Sequence, residues 1–208
     1  SDTWYPEKPV VPYLRATQDR VVLEIMRGCI RGCRFCQAGM VCRPVREKTV
    51  DRLFDDAQCM YRNFGYDEMT LSSLSISDYS QIDTLTDRFA AWATEHHISL
   101  SLPSLRLDSF TRELMDKVST VKTGSLTFAP EAGTQRLRDA INKNVTEEEI
   151  LTTCATAFEG GWNNVKLYFM LGLPTETDED VLGIAELVYK ILKTWREHAT
   201  NKKRGVRI

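Results

Sequence analysis

Short apolar runs alternate with longer stretches of helical periodicity along most of this 208-residue chain. The first apolar run, residues 21–26, has the length and the β-branched content of a strand. Residues 49–64 then repeat apolar side chains at helical spacing, and Gly65 follows as a C-terminal stop. The helical face predicted in this way contains Leu53, Ala57, Met60, Tyr61 and Phe64.

The same alternation continues through the rest of the chain. Strands are predicted at 68–74, 98–102, 124–128 and 165–170, and helices at 82–96, 108–118, 146–160 and 177–195. The hydrophobicity of 165–170 predicts a strand that is buried on both faces. The last residues, 205–208, are typical of the start of a sixth strand.

This alternation defines the predicted fold class, which is α/β with a parallel sheet and right-handed crossovers. A complete eight-unit barrel needs about 250 residues, so about five to six β/α units predict a partial (β/α) barrel, truncated at its C-terminal end. We expect an extended lead-in over 1–20 and a single domain over 21–208, cut from a longer protein. Functional residues should lie at the carboxyl ends of the strands.

Composition and charge exclude little but set the expected location. The chain is 42% hydrophobic and 27% charged with a formal net charge of −2, so neither nucleic acid nor a membrane is indicated as a partner. No apolar stretch is long enough to span a bilayer, and no signal peptide precedes the first charged residues. The cytoplasm is therefore the expected location.

A cysteine-rich segment follows the first predicted strand directly. Four of the six cysteines lie within 29–42, with the spacing C-x3-C-x2-C followed by Cys42, and glycines surround them. Clustered thiolates favour zinc or an iron–sulfur cluster over disulfides in such a chain. Three readings are open from spacing alone: a zinc-stabilised binding module, an electron carrier with Cys42 as the fourth cluster ligand, or a three-ligand cluster that leaves one iron open.

Cys29, Cys33 and Cys36, with Phe35 before the last of them, resemble the signature of the radical S-adenosylmethionine (SAM) superfamily. The wider string RGCIRGCRFCQAGMVCRPVRE resembles a subgroup with an N-terminal cobalamin-binding domain. The resemblance implies an enzyme in which three cysteines bind a [4Fe–4S] cluster and the open iron chelates SAM. It leaves Cys42 without a ligating role.

The chemistry implied by this resemblance is radical formation. One electron, from a donor such as a flavodoxin or ferredoxin, cleaves SAM to methionine and a 5′-deoxyadenosyl radical. That radical serves hydrogen abstraction or methyl transfer on a substrate that the sequence does not identify. The D-x-H-x-x-G pattern of cobalamin binding is absent from the sequence, so cobalamin would come from a flanking domain.

The resemblance extends to SAM contacts after the second and third strands. The Gly-Gly-Glu-type loop that binds the SAM amino group is replaced here by LSSLSISD, so Ser72 and Ser73, with Ser75 or the nearby backbone, would supply the acceptors. After the third strand, Ser104 and Arg106 occupy the loop. Arg106 would pair with the SAM carboxylate, and a surface salt bridge is the alternative interpretation.

Further SAM contacts are implied after the fourth and fifth strands. Glu131 is the candidate for the ribose hydroxyls, because a carboxylate accepts two hydrogen bonds from a diol well. Lys143 is the candidate cation for the SAM carboxylate. In FMLGLPTET, Leu171 would offer apolar surface to the adenine and Gly172 would permit close backbone approach. Phe35 is assigned to the same cofactor site.

Overall fold

The computed structural model describes residues 6–8, 10–14, 16, 19–102, 126–200 and 202–208. The described residues fall into two compact units. The first unit contains those of 1–30 and 42–102, and the second contains those of 31–41 and 126–208. The helix predicted at 108–118 lies outside the described residues, as do the first two positions of the strand predicted at 124–128.

Five parallel strands alternate with α-helices in the described residues, as the hydrophobic pattern predicts, and a short antiparallel pair, Met26–Arg27 with Arg46–Glu47, is added after the first strand. In chain order the elements are β1 (Val21–Glu24), β2 (Met26–Arg27), α1 (Ala38–Val41), β3 (Arg46–Glu47), α2 (Val50–Phe64), β4 (Glu68–Ser72), α3 (Ile82–Glu95), β5 (Ser99–Ser101), β6 (Leu126–Glu131), α4 (Gln135–Ala140), α5 (Glu147–Glu159), β7 (Val165–Phe169) and α6 (Asp178–His198).

The first unit is built on a parallel sheet in the order β1-β4-β5. Successive side chains of a strand point to opposite faces of the sheet. Leu23 and Leu71 are register partners, and both are fully buried. On the opposite face, Glu24 is the register partner of Ser72. The carboxyl ends of β1 and β4 therefore carry polar side chains on one face.

Helix α2 has the boundaries that its sequence predicts. The Thr49 hydroxyl accepts a hydrogen bond from the Arg52 amide at the N-terminus, and Gly65 adopts a left-handed φ of 67° at the C-terminus. Leu53 and Ala57 are fully buried on the predicted face. Burying a leucine of this kind stabilises the fold by about 1.5–3 kcal/mol.

The second unit is built on the parallel pair β6-β7. The predicted sixth strand is present as a parallel bridge between Asn164 and Arg207. It is supported by the hydrogen bond from the Val165 amide to the Arg207 carbonyl, at 2.9 Å. The predicted mixed α/β architecture with parallel strands is thus confirmed.

Helices α5 and α6 form the core of the second unit with this pair. Thr146 and Glu149 close the predicted capping box at the start of α5. Cys154 is fully buried in this core, where burial raises its pKa to about 12. The buried residues of the cluster are Phe128, Val145, Ile150, Cys154, Ala157, Phe158, Trp162, Val165, Leu187, Ile191 and Ala199.

The prediction that β7 is buried on both faces is wrong. Val165 is buried, whereas Lys166 is exposed and Tyr168 is 50% exposed. The Lys166 ammonium lies over the Tyr168 ring at 5.0 Å, so the outer face pairs a charge with an aromatic surface. The lysine inside this apolar run was the signal of a strand with one solvent-exposed face.

None of the described helices is both long and apolar enough to cross a membrane.

Candidate active site

All six cysteines lie in the described part of the chain, and each carries a thiol rather than a disulfide. Cys33 is 8% exposed, and Cys29 and Cys36 are half-buried. The donor set therefore offers three thiols within eight residues, which is the soft ligand chemistry that an iron–sulfur cluster requires. Among the described residues, no three His, Cys, Asp or Glu side chains already stand in an arrangement that would hold one metal ion.

The first end of the cysteine segment, in the first unit, is fixed by close backbone contact. Gly28 has a φ of 98°, which L side chains rarely adopt. A Cβ atom at Gly28 would lie 2.5 Å from the Cys42 carbonyl oxygen and 3.0 Å from the Val45 Cα atom. Only glycine fits next to Cys29, and the Cys42 backbone is what fills the space.

The stretch of the segment around Cys33, in the second unit, is fixed by hydrogen bonds to the end of α4. The Arg34 amide donates to the Ile141 carbonyl at 2.9 Å, and its guanidinium donates to the Ala140 carbonyl at 2.7 Å. The Asn142 side-chain amide donates to the Gly32 carbonyl at 2.7 Å. These bonds hold the residues on both sides of Cys33.

Three of the predicted cofactor residues meet beside this part of the segment. The Lys143 ammonium lies 3.1 Å from a carboxylate oxygen of Glu131, and the two side chains are only 12% and 15% exposed. The same ammonium lies 5.8 Å from the centre of the Phe35 ring. The structure therefore brings together three residues that are widely separated in sequence, within the unit that also contains Cys33 and Cys36.

Backbone geometry places Glu131 in this position. A β-bulge interrupts the pairing of β6 with β7 between Phe128 and Glu131, and Glu131 has a left-handed φ of 69°. Its carbonyl still accepts a hydrogen bond from the Met170 amide at 2.8 Å. The bulge therefore re-aims this one carboxylate while the end of β6 stays attached to β7.

The turn after Glu131 is packed against the start of α6 without room for side chains. A Cβ atom at Gly133 would lie 2.4 Å from the Asp180 carbonyl oxygen, and one at Gly183 would lie 2.7 Å from the Thr134 methyl group. Asp180 is buried and accepts hydrogen bonds from Thr134 and Arg136. These bonds hold the pKa of the Asp180 carboxyl below its usual range.

The predicted adenine segment follows β7. Leu171 is 69% exposed, and Gly172 has a left-handed φ of 79°. The Glu176 carboxylate accepts hydrogen bonds from the amides of Gly172 and Leu173, at 3.1 and 3.2 Å. The segment thus presents apolar surface on a loop in which these two amides already have a partner. Sequence reasoning missed Glu176, although an acid shortly after a Gly-x-Pro loop is a capping signal.

The serine loop after β4 lies in the first unit. Ser72 and Ser73 are half-buried, and the Ser73 hydroxyl accepts a hydrogen bond from the Ser75 amide at 3.2 Å. The Ser75 hydroxyl is buried and has no hydrogen-bond partner within the described residues. Ser104 and Arg106 lie outside the described residues.

The carboxyl end of β1 carries an ion pair. Arg27 donates to both oxygens of Glu24, at 2.9 and 2.7 Å. These hydrogen bonds lower the pKa of the Glu24 carboxyl. Glu24 in this apolar strand is explained by its position at the polar face of the sheet, next to the cysteine segment in sequence.

The model of the radical SAM superfamily matches residues 23–188. The match covers well over half of the chain and begins in the strand that precedes the cysteine segment. This chain belongs to the radical SAM superfamily, and it therefore carries an enzyme fold.

One relative and two solved structures are similar to most of this chain. Uncharacterized protein MJ0966 of Methanocaldococcus jannaschii is 37% identical over 176 residues, which are 85% of this chain and 38% of that protein. The radical SAM methyltransferase TsrM from Kitasatospora setae, with cobalamin and a [4Fe–4S] cluster bound, has a TM-score of 0.68 at 12% identity and covers 82% of this chain and 34% of its own. The cobalamin-dependent SAM radical enzyme OxsB, with aqua-cobalamin and SAM bound, has a TM-score of 0.64 at 15% identity and covers 88% and 31%.

These likenesses establish the fold. One of the two solved structures is of a cobalamin-dependent enzyme and the other has cobalamin bound, and this chain shares their fold. The chain spans less than two fifths of the length of the relative, so most of that protein lies outside the matched region.

Proposed function

We propose that this chain is a radical SAM core domain over 21–208 that holds a [4Fe–4S] cluster through Cys29, Cys33 and Cys36. The observation that carries the proposal is the Glu131–Lys143 pair beside Phe35, in the unit that also contains two of the three cysteines. Three thiols of one segment and a partly buried acid–base pair are the groups that a cluster and an amino-acid-bearing nucleoside would need. The superfamily membership supports the same assignment.

Lys143 and Glu131 would bind the two polar ends of SAM. The ammonium is the partner for the SAM carboxylate, and the Glu131 carboxylate is the partner for the ribose diol. Because each is little exposed, their charges are weakly screened and act strongly on a bound ligand. Since the two groups pair with each other at 3.1 Å, SAM would exchange this contact for two new ones.

The remaining contacts follow the strand ends. Leu171 would cover the adenine, and Gly172 would allow the backbone to approach it closely. Ser72 and Ser73 would accept hydrogen bonds from the SAM amino group. We retain Ser104 and Arg106 as candidates for the loop after the third strand. When bound, the cluster would supply the electron that cleaves SAM.

The substrate chemistry is hydrogen abstraction or methyl transfer in the cytoplasm, with a flavodoxin or ferredoxin as the reductant. The two cobalamin enzymes of similar fold favour a reaction in which cobalamin, bound outside these residues, takes part.

The test is anaerobic reconstitution with iron and sulfide, followed by reduction with dithionite in the presence of SAM. We expect about four irons per chain, formation of 5′-deoxyadenosine, and a change in the paramagnetic resonance spectrum on adding SAM. Alanine at Cys29, Cys33 or Cys36 should abolish the cluster. Cys42→Ala is the matched control and should retain both the cluster and SAM cleavage.

Two results would contradict the proposal. A cluster whose spectrum ignores SAM, and which is lost in Cys42→Ala, would identify a four-cysteine electron carrier. Stoichiometric zinc in a colourless protein that chelators unfold would identify a zinc-stabilised module.

A further inference from the structure

Arg138, on α4, is a fully buried arginine that the assigned site does not use. Its guanidinium donates to the carbonyls of Ala132 and Gly133, at 3.0 and 3.2 Å, and to the side-chain oxygen of Gln135, at 3.1 Å. All three acceptors are neutral. Burial lowers the pKa of Arg138 although two acidic side chains lie nearby. The forked guanidinium reaches all three acceptors at once, which a lysine or a smaller residue cannot do.

The main chain of Arg138 connects the same turn to Lys143. Its carbonyl accepts a hydrogen bond from the Lys143 amide at 2.9 Å. The side chain therefore binds the two residues that follow Glu131, and the main chain binds Lys143 itself. One residue spans both members of the ion pair, which are twelve positions apart in sequence.

The backbone on both sides of this connection departs from regular geometry. Glu131 has a φ of 69°, and Asn142 and Asn144 have φ of 54° and 50° around Lys143. Asparagine adopts this left-handed region more readily than other non-glycine residues, so the strain is greatest at Glu131. The hydrogen bonds of Arg138 reach both segments.

We propose that Arg138 is a positioning residue of the SAM site, which fixes the spacing between Glu131 and Lys143. The inference rests on the proposed function, because it gives the pair its ligand. Arg138 is fully buried and would act through these two segments rather than by contact with SAM. Its guanidinium ties α4 to the turn after Glu131, and its carbonyl on the same helix holds the Lys143 amide.

The test compares Arg138→Lys with wild-type protein after cluster reconstitution. A lysine keeps the positive charge but loses the fork that reaches two carbonyls and Gln135 at once. We expect unchanged iron content, an unchanged resonance spectrum without SAM, and a dissociation constant for SAM raised about tenfold. The rate of 5′-deoxyadenosine formation at saturating SAM should stay near that of wild type, so that the change is in KM rather than kcat. Arg62→Lys, at an exposed arginine of α2, is the matched control and should change none of these.

A second variant and a SAM-free measurement keep the inference separate from the proposed function. Gln135→Met removes one of the three acceptors and should weaken SAM binding in the same direction by a smaller factor. Hydrogen exchange without SAM should show faster exchange across residues 131–134 in Arg138→Lys, because the lost guanidinium bonds hold the carbonyls of this turn. If wild-type protein does not bind SAM, the proposed function fails, and the exchange result still decides the positioning role. Unchanged exchange across residues 131–134, or iron content lost in proportion to SAM binding, would overturn the inference.

Discussion

The start of the cysteine segment and the stretch around Cys33 are held by different means. At the start, Gly28 leaves no room for a side chain beside the Cys42 carbonyl oxygen. Around Cys33, Arg34 and Asn142 join the segment to the end of α4 by hydrogen bonds. A contact that is fixed by excluded volume has no partial state, whereas a stretch that is fixed by several hydrogen bonds can lose them one at a time. Substitutions at the two places should therefore differ in kind as well as in size.

The largest effect is expected for Gly28→Ala. The added methyl group would meet the Cys42 carbonyl oxygen at 2.5 Å while φ stays at 98°, so the backbone around Cys29 must move. We expect the free energy of unfolding to fall by more than about 3 kcal/mol, because backbone strain and overpacking add together. We also expect that the cluster does not assemble. Iron content after reconstitution and urea unfolding measure the two effects.

Gly65→Ala is the matched control for this comparison. Gly65 has a φ of 67° but nothing within 4 Å of an added Cβ atom. It should therefore show only the conformational penalty, about 1 kcal/mol, with the cluster intact. Equal effects of the two substitutions would show that the close contact at Gly28 is unimportant.

Asp180→Asn should give the next largest effect, and it should be confined to the second unit. The hydrogen bonds that lower the pKa of Asp180 stabilise the folded state while the carboxyl is ionised. That stabilisation is complete above the pKa of an unfolded aspartate, about 4, and declines as pH falls further toward the folded pKa. The difference in unfolding free energy between wild type and variant should be largest at pH 7 and shrink at pH 3. A difference that does not depend on pH would assign the effect to packing alone.

A smaller effect is expected for Asn142→Ala, which removes the side-chain bond to the Gly32 carbonyl. One hydrogen bond contributes about 1 kcal/mol, and the two bonds of Arg34 remain. The positive φ of Asn142 adds a further small penalty for alanine. Iron content should fall by less than half, and Asn142→Asp should separate the lost donor from the backbone effect. Complete loss of the cluster would show that the hydrogen bonds around Cys33 are not lost one at a time.

The smallest effect is expected for Arg34→Lys. Its amide bond to the Ile141 carbonyl does not involve the side chain, and the lost guanidinium bond to Ala140 is exposed. We expect the free energy of unfolding to fall by about a few tenths of a kcal/mol, measured by thermal unfolding. The cluster should be unchanged, as measured by iron analysis. Arg34→Lys combined with Asn142→Ala should be more than additive if the two bonds support one structure.

Local signals accounted for most of the fold. The boundaries of α2 follow from Thr49 and Gly65, and those of α5 follow from its capping box, because these residues satisfy backbone groups within one helical turn. The prediction failed for β7, where the run of apolar residues outweighed Lys166. Burial on two faces depends on what packs against each face, which a single strand does not encode.

The sequence predicted which residues belong to the candidate site, but not which of them contact one another. Glu131 and Lys143 could be named from their places after the fourth strand, and the structure adds that they bind each other. Their meeting depends on a β-bulge and on left-handed residues, which propensity does not predict. Arg138 was missed because an arginine inside a polar helical stretch is typical of a solvent-exposed face.

The contact between Gly133 and Gly183 has a consequence for evolutionary variation. Each glycine faces the backbone or the methyl group of the other segment at less than 3 Å from an added Cβ atom. A larger residue at either position would displace α6 and, with it, the turn that carries Glu131. We expect these two positions to covary in homologous sequences: lineages that keep the acid should keep small residues at both, and a lineage that enlarges one should have lost the acid as well.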